Sequence, residues 1–173
     1  MIPIKENPDF EAEESLESYL EKWPDDLDNI PECVIEQWCY RHNEIFIESW
    51  SGYQPENWSF ELVEFDNDEI FEIEHLDGEL DHYDYVGNEF IQHPYKRDYV
   101  ANYMLEHGTF PQPIIVAIDG GELEHPRSHP GEYMKEPYHL IEGHTRLGML
   151  RAMINSGLDT TGSHEVWLMK FNT

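Results

Sequence analysis

The sequence predicts an α+β protein, with an N-terminal extension of helices and a β-hairpin over residues 1–88 and a C-terminal domain over residues 89–173. Three observations predict it. Pro113–Ile118 (PIIVAI) is a continuous β-branched apolar run, the pattern of a strand buried on both faces. Tyr138–Glu142 is a second strand that stops at Gly143, and Thr145–Asn155 then carries Leu147, Leu150, Met153 and Ile154 on one helical face. Upstream, Leu16, Tyr19, Leu20 and Trp23 recur at i, i+3, i+4 and i+7, the spacing of an amphipathic helix.

Taken in order, the first helix covers Ala12–Trp23 and ends at Pro24. Asp28 or Asn29 caps a second helix with Pro31 in its first turn, which carries Val34, Ile35 and Trp38 inward. Residues 43–58 are ambiguous, with Gly52 and Pro55 marking loops. Phe60–Phe65 and Glu69–His75 read as two strands joined at Asp66-Asn67-Asp68. Leu76–Asn88 is acidic and glycine-punctuated and reads as a loop or edge, and Glu89–Gln92 as a short strand. A helix over residues 97–106 buries Val100, Ala101, Met104 and Leu105 and stops at Gly108. Residues 119–137 hold Gly120, Gly121, Pro126, Pro130, Gly131 and Pro137 and read as a long surface loop; Glu165–Phe171 is the closing strand. Trp23, Trp38, Trp50 and Trp58 are expected to build a small core for the N-terminal region, with an interface as the alternative for some of them. A chain of 173 residues buries roughly 70% of its unfolded surface, so such cores form without metal or disulfide staples.

Ten Lys and Arg against thirty-seven Asp and Glu give a net charge of −27. Bulk charge therefore opposes direct binding to nucleic acid or an anionic membrane, both of which require excess Lys and Arg. It leaves room for a local phosphate site. Aromatics at 13% exceed what disordered acidic tails contain, so the sequence describes a folded protein with an acidic coat. The acidic stretches 6–28 and 56–84 read as solvated faces, as a surface for a basic partner protein, or as mimics of DNA phosphate spacing. Cys33 and Cys39, the only cysteines, are too few for a thiolate zinc site and poorly spaced for a disulfide, which suits a reducing cytoplasm. No 18-residue apolar run predicts a membrane helix, and no apolar signal segment follows Met1.

The chemistry concentrates in Leu140-Ile141-Glu142-Gly143-His144-Thr145-Arg146-Leu147. A strand stops at a glycine and a helix begins at once, so free N–H groups and the positive helix end face one spot. Gly143 permits close backbone approach, Thr145 offers a hydroxyl, Arg146 a forked cation for phosphate oxygens, and His144 a donor or a base. That is the composition of an anion pocket. The bland alternative is an ordinary strand–turn–helix with Arg146 paired to a carboxylate.

The order Gly108-Thr109-Phe110-Pro111-Gln112-Pro113-Ile114-Ile115-Val116, followed by Tyr138-His139-Leu140-Ile141-Glu142-Gly143-His144-Thr145-Arg146-Leu147, resembles the ParB/sulfiredoxin superfamily. Upstream, Ile91-Gln92-His93-Pro94-Tyr95-Lys96-Arg97 resembles the Pro-x-x-Arg box of that superfamily, and the likeness spans about residues 89–171. It implies that Gly143, His144, Thr145 and Arg146 hold nucleotide phosphates with Pro94 and Arg97 beside them. It also implies ATP, ADP or CTP with Mg²⁺ as ligand, and a phosphotransferase or NTP hydrolase as the activity. Glu142 is then the candidate metal carboxylate, and His144 or His93 the candidate base. His144 stands where sulfiredoxins carry cysteine, which argues against sulfinic-acid reduction. His144-Thr145 replaces the Glu-Arg pair of partition proteins, and no helix-turn-helix module is expected before Thr173. The free-serine kinase branch, with Gly-His-His-Arg, is nearest, although the Glu it uses near its proline box is replaced by His93-Pro94-Tyr95.

Weaker signals flank this turn. His125 and His129 lie four apart, but Pro126 and Pro130 forbid a regular helix that would converge them on a metal. Their loop is expected to flank the pocket, with Arg127 a candidate to close over a bound phosphate. His139 alternates with Tyr138 and reads as a surface or edge residue. The rival to nucleotide binding is a non-enzymatic acidic inhibitor or adaptor that binds a basic, nucleic-acid-handling protein.

Overall fold

The computed structural model describes residues 1–7 and 12–172 and is a mixed α+β protein. It clusters into two compact units, Met1–Phe60 with Lys170–Thr173, and Glu61–Met169. Residues 61–88, assigned from sequence to the extension, fall in the second unit.

In the first unit, helix α1 is Leu16–Leu20, shorter than the expected span, with the Ser15 hydroxyl accepting from the Ser18 N–H. Of its predicted apolar stripe only Tyr19 is fully buried, and its hydroxyl is tied to the Pro3 carbonyl and the Asn43 amide. Helix α2 (Glu32–Val34) widens into a π-helical turn over Ile35–Tyr40, and Val34, Ile35 and Trp38 are buried as their spacing predicts. Pro31, rather than Asp28 or Asn29, stands at its N-cap; Asn29 instead donates to the carbonyls of Pro55 and Trp58. The ambiguous stretch contains helix α3 (Asn43–Trp50). Trp38 centres an aromatic core, with ring centroids 4.7 Å from Phe46, 5.1 Å from Trp50 and 5.6 Å from Trp58. Trp23 is half-buried beside Tyr19.

The sheet has the strand order β1-β5-β3-β4-β2: β1 is Trp58–Asp66, β2 Ile73–Glu74, β3 Ile114–Ile118, β4 Tyr138–Glu142 and β5 Ser163–Phe171. β4 runs antiparallel to β3 and parallel to β2, so it is an inner strand of a mixed sheet. The expected hairpin over residues 60–75 is replaced by β1, helix α4 (Asn67–Glu72) and β2. The reason is a capping box: Asp66 Oδ1 accepts from the N–H groups of Asp68 and Glu69, and Glu69 Oε2 accepts from the Asp66 N–H, each at 2.9 Å.

The expected acidic loop over residues 76–88 and the strand at 89–92 are together helix α5 (Glu79–Gln92). Its partner is helix α7 (His144–Asn155). A Cβ on Gly87 would sit 2.5 Å from the Gly148 carbonyl oxygen, so the two backbones meet almost directly. Arg151 and Asp84 clamp the crossing with two parallel bonds of 2.9 Å. Helix α6 (Tyr99–His107) is capped by Asp98, whose carboxylate accepts from the Ala101 N–H, and it ends at Gly108 as expected. Ile70, Ile73, Met104, Ile114, Leu140 and Leu147 are buried in the core of this unit. Among the described residues, no helix is long and apolar enough to cross a membrane.

Candidate functional site

The turn from β4 into α7 is built as the sequence suggests, but its arginine is used differently. Gly143 has φ 106°, a left-handed conformation, and a Cβ there would sit 2.5 Å from Ile114 Cγ2. Glycine is thus required both by the turn and by packing on β3. Gly143, at the N-cap, has no side chain with which to cap α7. Arg146 is buried; its Nη1 donates to the carbonyls of Gln112 (2.7 Å) and Pro113 (3.2 Å), and its Nη2 lies 3.8 Å from Glu142 Oε1. The guanidinium therefore ties α7 to the segment entering β3.

The residues of the Pro-x-x-Arg box are engaged at the end of α5. Arg97 donates to the carbonyls of Phe90 and Ile91 at 2.7 and 2.9 Å, which satisfies the last turn of that helix. His93 Nε2 lies 3.6 Å from Glu89 Oε1, Glu89 also pairs with Lys96, and Pro94 is exposed.

Around His144 the fold gathers a group of histidines that sequence reasoning missed. β2 pairs with β4 in the register Glu74↔His139, which sets His75 beside His139. His125 arrives from the long loop, held by its N–H donating to the Glu132 carbonyl. Ring centroids are 4.7 Å apart for His75 and His139, 4.8 Å for His75 and His144, 5.3 Å for His75 and His125, and 5.2 Å for His125 and His139. His75, His125 and His139 are 6%, 7% and 0% exposed. His139 is therefore not an edge residue: its strand is an inner one and both of its faces are covered. His125 joins the cluster, whereas His129, its sequence neighbour at four, is exposed.

Burial, reinforced by neighbouring imidazoles and cations, drives these histidines to the neutral form. The pKa of His75 falls to about 2, that of His139 to about 3 and that of His125 to about 4. Main-chain donors then select the tautomers. The Lys135 N–H donates to His139 Nδ1 at 3.0 Å, and the Arg127 N–H donates to His125 Nδ1 at 3.3 Å. Each Nδ1 must present a lone pair, so the proton of each neutral ring sits on Nε2. His139 Nε2 is fully buried and, among the described residues, has no hydrogen-bond partner. His75 Nε2 lies 3.2 Å from His144 Nε2. His75 Nδ1 is 3.2 Å from Glu79 Oε2, yet it is not aligned for a hydrogen bond.

Charged groups surround the cluster. Arg127 acts electrostatically on His75, His125 and Tyr83, and Glu79 and Glu142 act on Tyr83. Burial, then these two carboxylates, raise the Tyr83 pKa, and Arg127 opposes them. Tyr83 itself lies 5.0 Å, centroid to centroid, from His144. Arg127 is exposed, and among the described residues its guanidinium makes no hydrogen bond or ion pair. Two triads bring potential metal-ligand atoms within 4.8 Å of one another: His75, His125 and His139; and His75, Glu79 and His144. Of the residues singled out from the sequence, His144 belongs to this cluster with Glu142, Gly143 and Thr145 adjoining it in the chain, Arg146 binds the carbonyls of Gln112 and Pro113, and His93 and Arg97 contact the last turns of α5. Comparison of the chain with protein-family models, curated proteins and solved structures returns no match.

Proposed function

We propose that the chain binds a phosphorylated small molecule, a nucleotide in the first instance, where β4 meets α7. The observation that carries this reading is His139 Nε2. It is a proton-bearing donor fixed by the Lys135 N–H, wholly buried, and without an acceptor. An unmet buried donor costs about 1–3 kcal/mol, which an oxyanion oxygen would recover. The neighbouring His144 opens a 12-residue helix whose uncapped end favours negative charge. Arg127 supplies an uncommitted cation on the same cluster, and Thr145 a hydroxyl. The resemblance of Gly143–Arg146 to a nucleotide-binding turn supports the same ligand class. In this reading Arg146 braces the turn, Glu142 is the carboxylate for a phosphate-bound Mg²⁺, and His144 is the base should phosphoryl transfer follow.

Calorimetry with ATP, ADP, CTP, GTP and orthophosphate, each with Mg²⁺, tests the reading. Wild-type protein is expected to bind at least one of them. Arg127→Ala should weaken that binding roughly ten- to a hundred-fold, the value of a charge-assisted contact, without changing the melting temperature. Absence of heat with every ligand at millimolar concentration overturns the proposal. A second reading, the acidic adaptor for a basic protein, is favoured by one observation: Arg146, the cation expected to meet phosphate, is committed to two main-chain carbonyls. It predicts no nucleotide heat together with salt-sensitive binding to a basic DNA-handling protein.

A further inference from the structure

We propose that His75, Glu79 and His144 bind a divalent transition-metal ion of the zinc class, a site that does not depend on the phosphate reading. Two ligand nitrogens of a tetrahedral zinc ion, each ~2.0–2.1 Å from the metal, stand ~3.3 Å apart. His75 Nε2 and His144 Nε2 are 3.2 Å apart, which is that spacing. Glu79 completes a set whose ligand atoms all lie within 4.8 Å of one another. Two imidazoles and a carboxylate form a common donor set for zinc and other first-row divalent ions, and such a set leaves a coordination position open. Imidazole is a poor donor for Mg²⁺, so this ion is distinct from one carried in on phosphates.

Tautomers decide between the two triads. His125 and His139 receive main-chain N–H groups on Nδ1, so their Nε2 atoms carry protons and cannot ligate. Neither nitrogen of His75 is committed to a main-chain group. Its Nδ1 is buried and, among the described residues, without a hydrogen-bond partner, on a side chain more than nine-tenths buried. The Nε2–H groups of His125 and His139, with Arg127, are then donors to whatever oxygen occupies the open position. Two acidic groups, Glu79 and Glu142, and an overall charge of −27 favour a cation here.

The test is a titration of chelator-treated protein with Zn²⁺ alone and with Co²⁺ alone, in phosphate-free buffer. One equivalent is expected to bind, and Co²⁺ should show the intense visible bands of a four- or five-coordinate ion. His144→Ala should reduce affinity by more than the roughly 10–100-fold that loss of a supporting neighbour costs. Glu79 is exposed, so Glu79→Gln keeps the fold, and it should weaken binding and shift the Co²⁺ spectrum. His129→Ala, an exposed histidine outside the triad, should leave both unchanged. Absence of stoichiometric binding overturns the proposal, as does binding that survives both Glu79→Gln and His144→Ala. Because no nucleotide is present, failure here is separate from failure of the phosphate reading.

Discussion

Acid should unfold the metal-free protein, with the histidine cluster alone taking up nearly three protons, and the structure sets both the sign and the size. An imidazole in the unfolded chain titrates near 6.5, whereas His75, His139 and His125 titrate at about 2, 3 and 4 in the folded protein. Between about pH 6.5 and 4 the unfolded chain therefore binds more protons than the folded one. The sign follows from linkage: this stability is fully present above pH 6.5 and is lost as the pH falls. At pH 5.5 each unfolded imidazole is about nine-tenths protonated, so three sites give ~2.7 protons and a slope of ~3.7 kcal/mol per pH unit. Total stabilities of about 5–15 kcal/mol make this the dominant acid response. One effect opposes it, because acid also relieves the repulsion among carboxylates in a chain of charge −27. Moderate salt, with a Debye length near ~8 Å, suppresses that contribution for exposed groups and spares the buried imidazoles. Urea melts at closely spaced pH values, with chelator and ~0.15 M salt, measure the slope. His139→Gln should lower the uptake by about one proton. An uptake below about one proton in the wild type, an uptake unchanged by His139→Gln, or stability that rises with acid, would refute a buried neutral cluster.

Three substitutions test the packing. Arg146→Ala removes two charge-assisted bonds to the carbonyls of Gln112 and Pro113, and at about 1.5–3 kcal/mol for a hydrogen bond to a charged group it should cost roughly 2–4 kcal/mol in urea melts; an unchanged melt would mean the guanidinium faces water. Trp38→Ala removes the ring shared by Phe46, Trp50 and Trp58 and should cost about 3–5 kcal/mol, whereas a loss under about 1 kcal/mol would contradict the aromatic core. Gly87→Ala sets a methyl 2.5 Å from the Gly148 carbonyl oxygen, so a net destabilisation within about 1–3 kcal/mol is expected despite the better helix propensity of alanine; a gain in melting temperature would show that α5 and α7 are not in backbone contact.

What was legible in the sequence tracks how local its cause is. β3, β4 and α7 were visible because a β-branched run, a stop at Gly143 and a helical apolar face lie in consecutive residues. α4 reads from sequence as a turn and the start of a strand because Asp66-Asn67-Asp68 is turn-forming in isolation; the helix depends on Glu69 reaching back to the Asp66 N–H. α5 was missed because Gly87 reads as a breaker. In the fold that glycine is the point of closest approach to α7, and the apolar Leu80, Phe90 and Ile91 pack against the core. The histidine cluster was hidden for a different reason. Its members come from positions 75, 125, 139 and 144, and only the parallel pairing of β2 with β4 brings the first beside the third. The loop that delivers His125 carries no periodic signal. The turn at Gly143–Arg146 was found from sequence, but the direction of its arginine was not, because that depends on carbonyls thirty-three and thirty-four residues away.

The proposed phosphate site turns on His139 as a neutral, Nε2-protonated donor that an oxyanion would pair. Long-range ¹H–¹⁵N correlation spectra of protein labelled at histidine nitrogen read the tautomer of each ring directly. At pH 7 the His139 spectrum should show a bare Nδ1 and a protonated Nε2, as the Lys135 N–H requires. Addition of the tightest-binding nucleotide with Mg²⁺ should move the Nε2–H resonance downfield while His107, exposed at the end of α6, stays in place. A proton found on Nδ1, or an Nε2–H resonance unmoved at saturating nucleotide, would contradict the account.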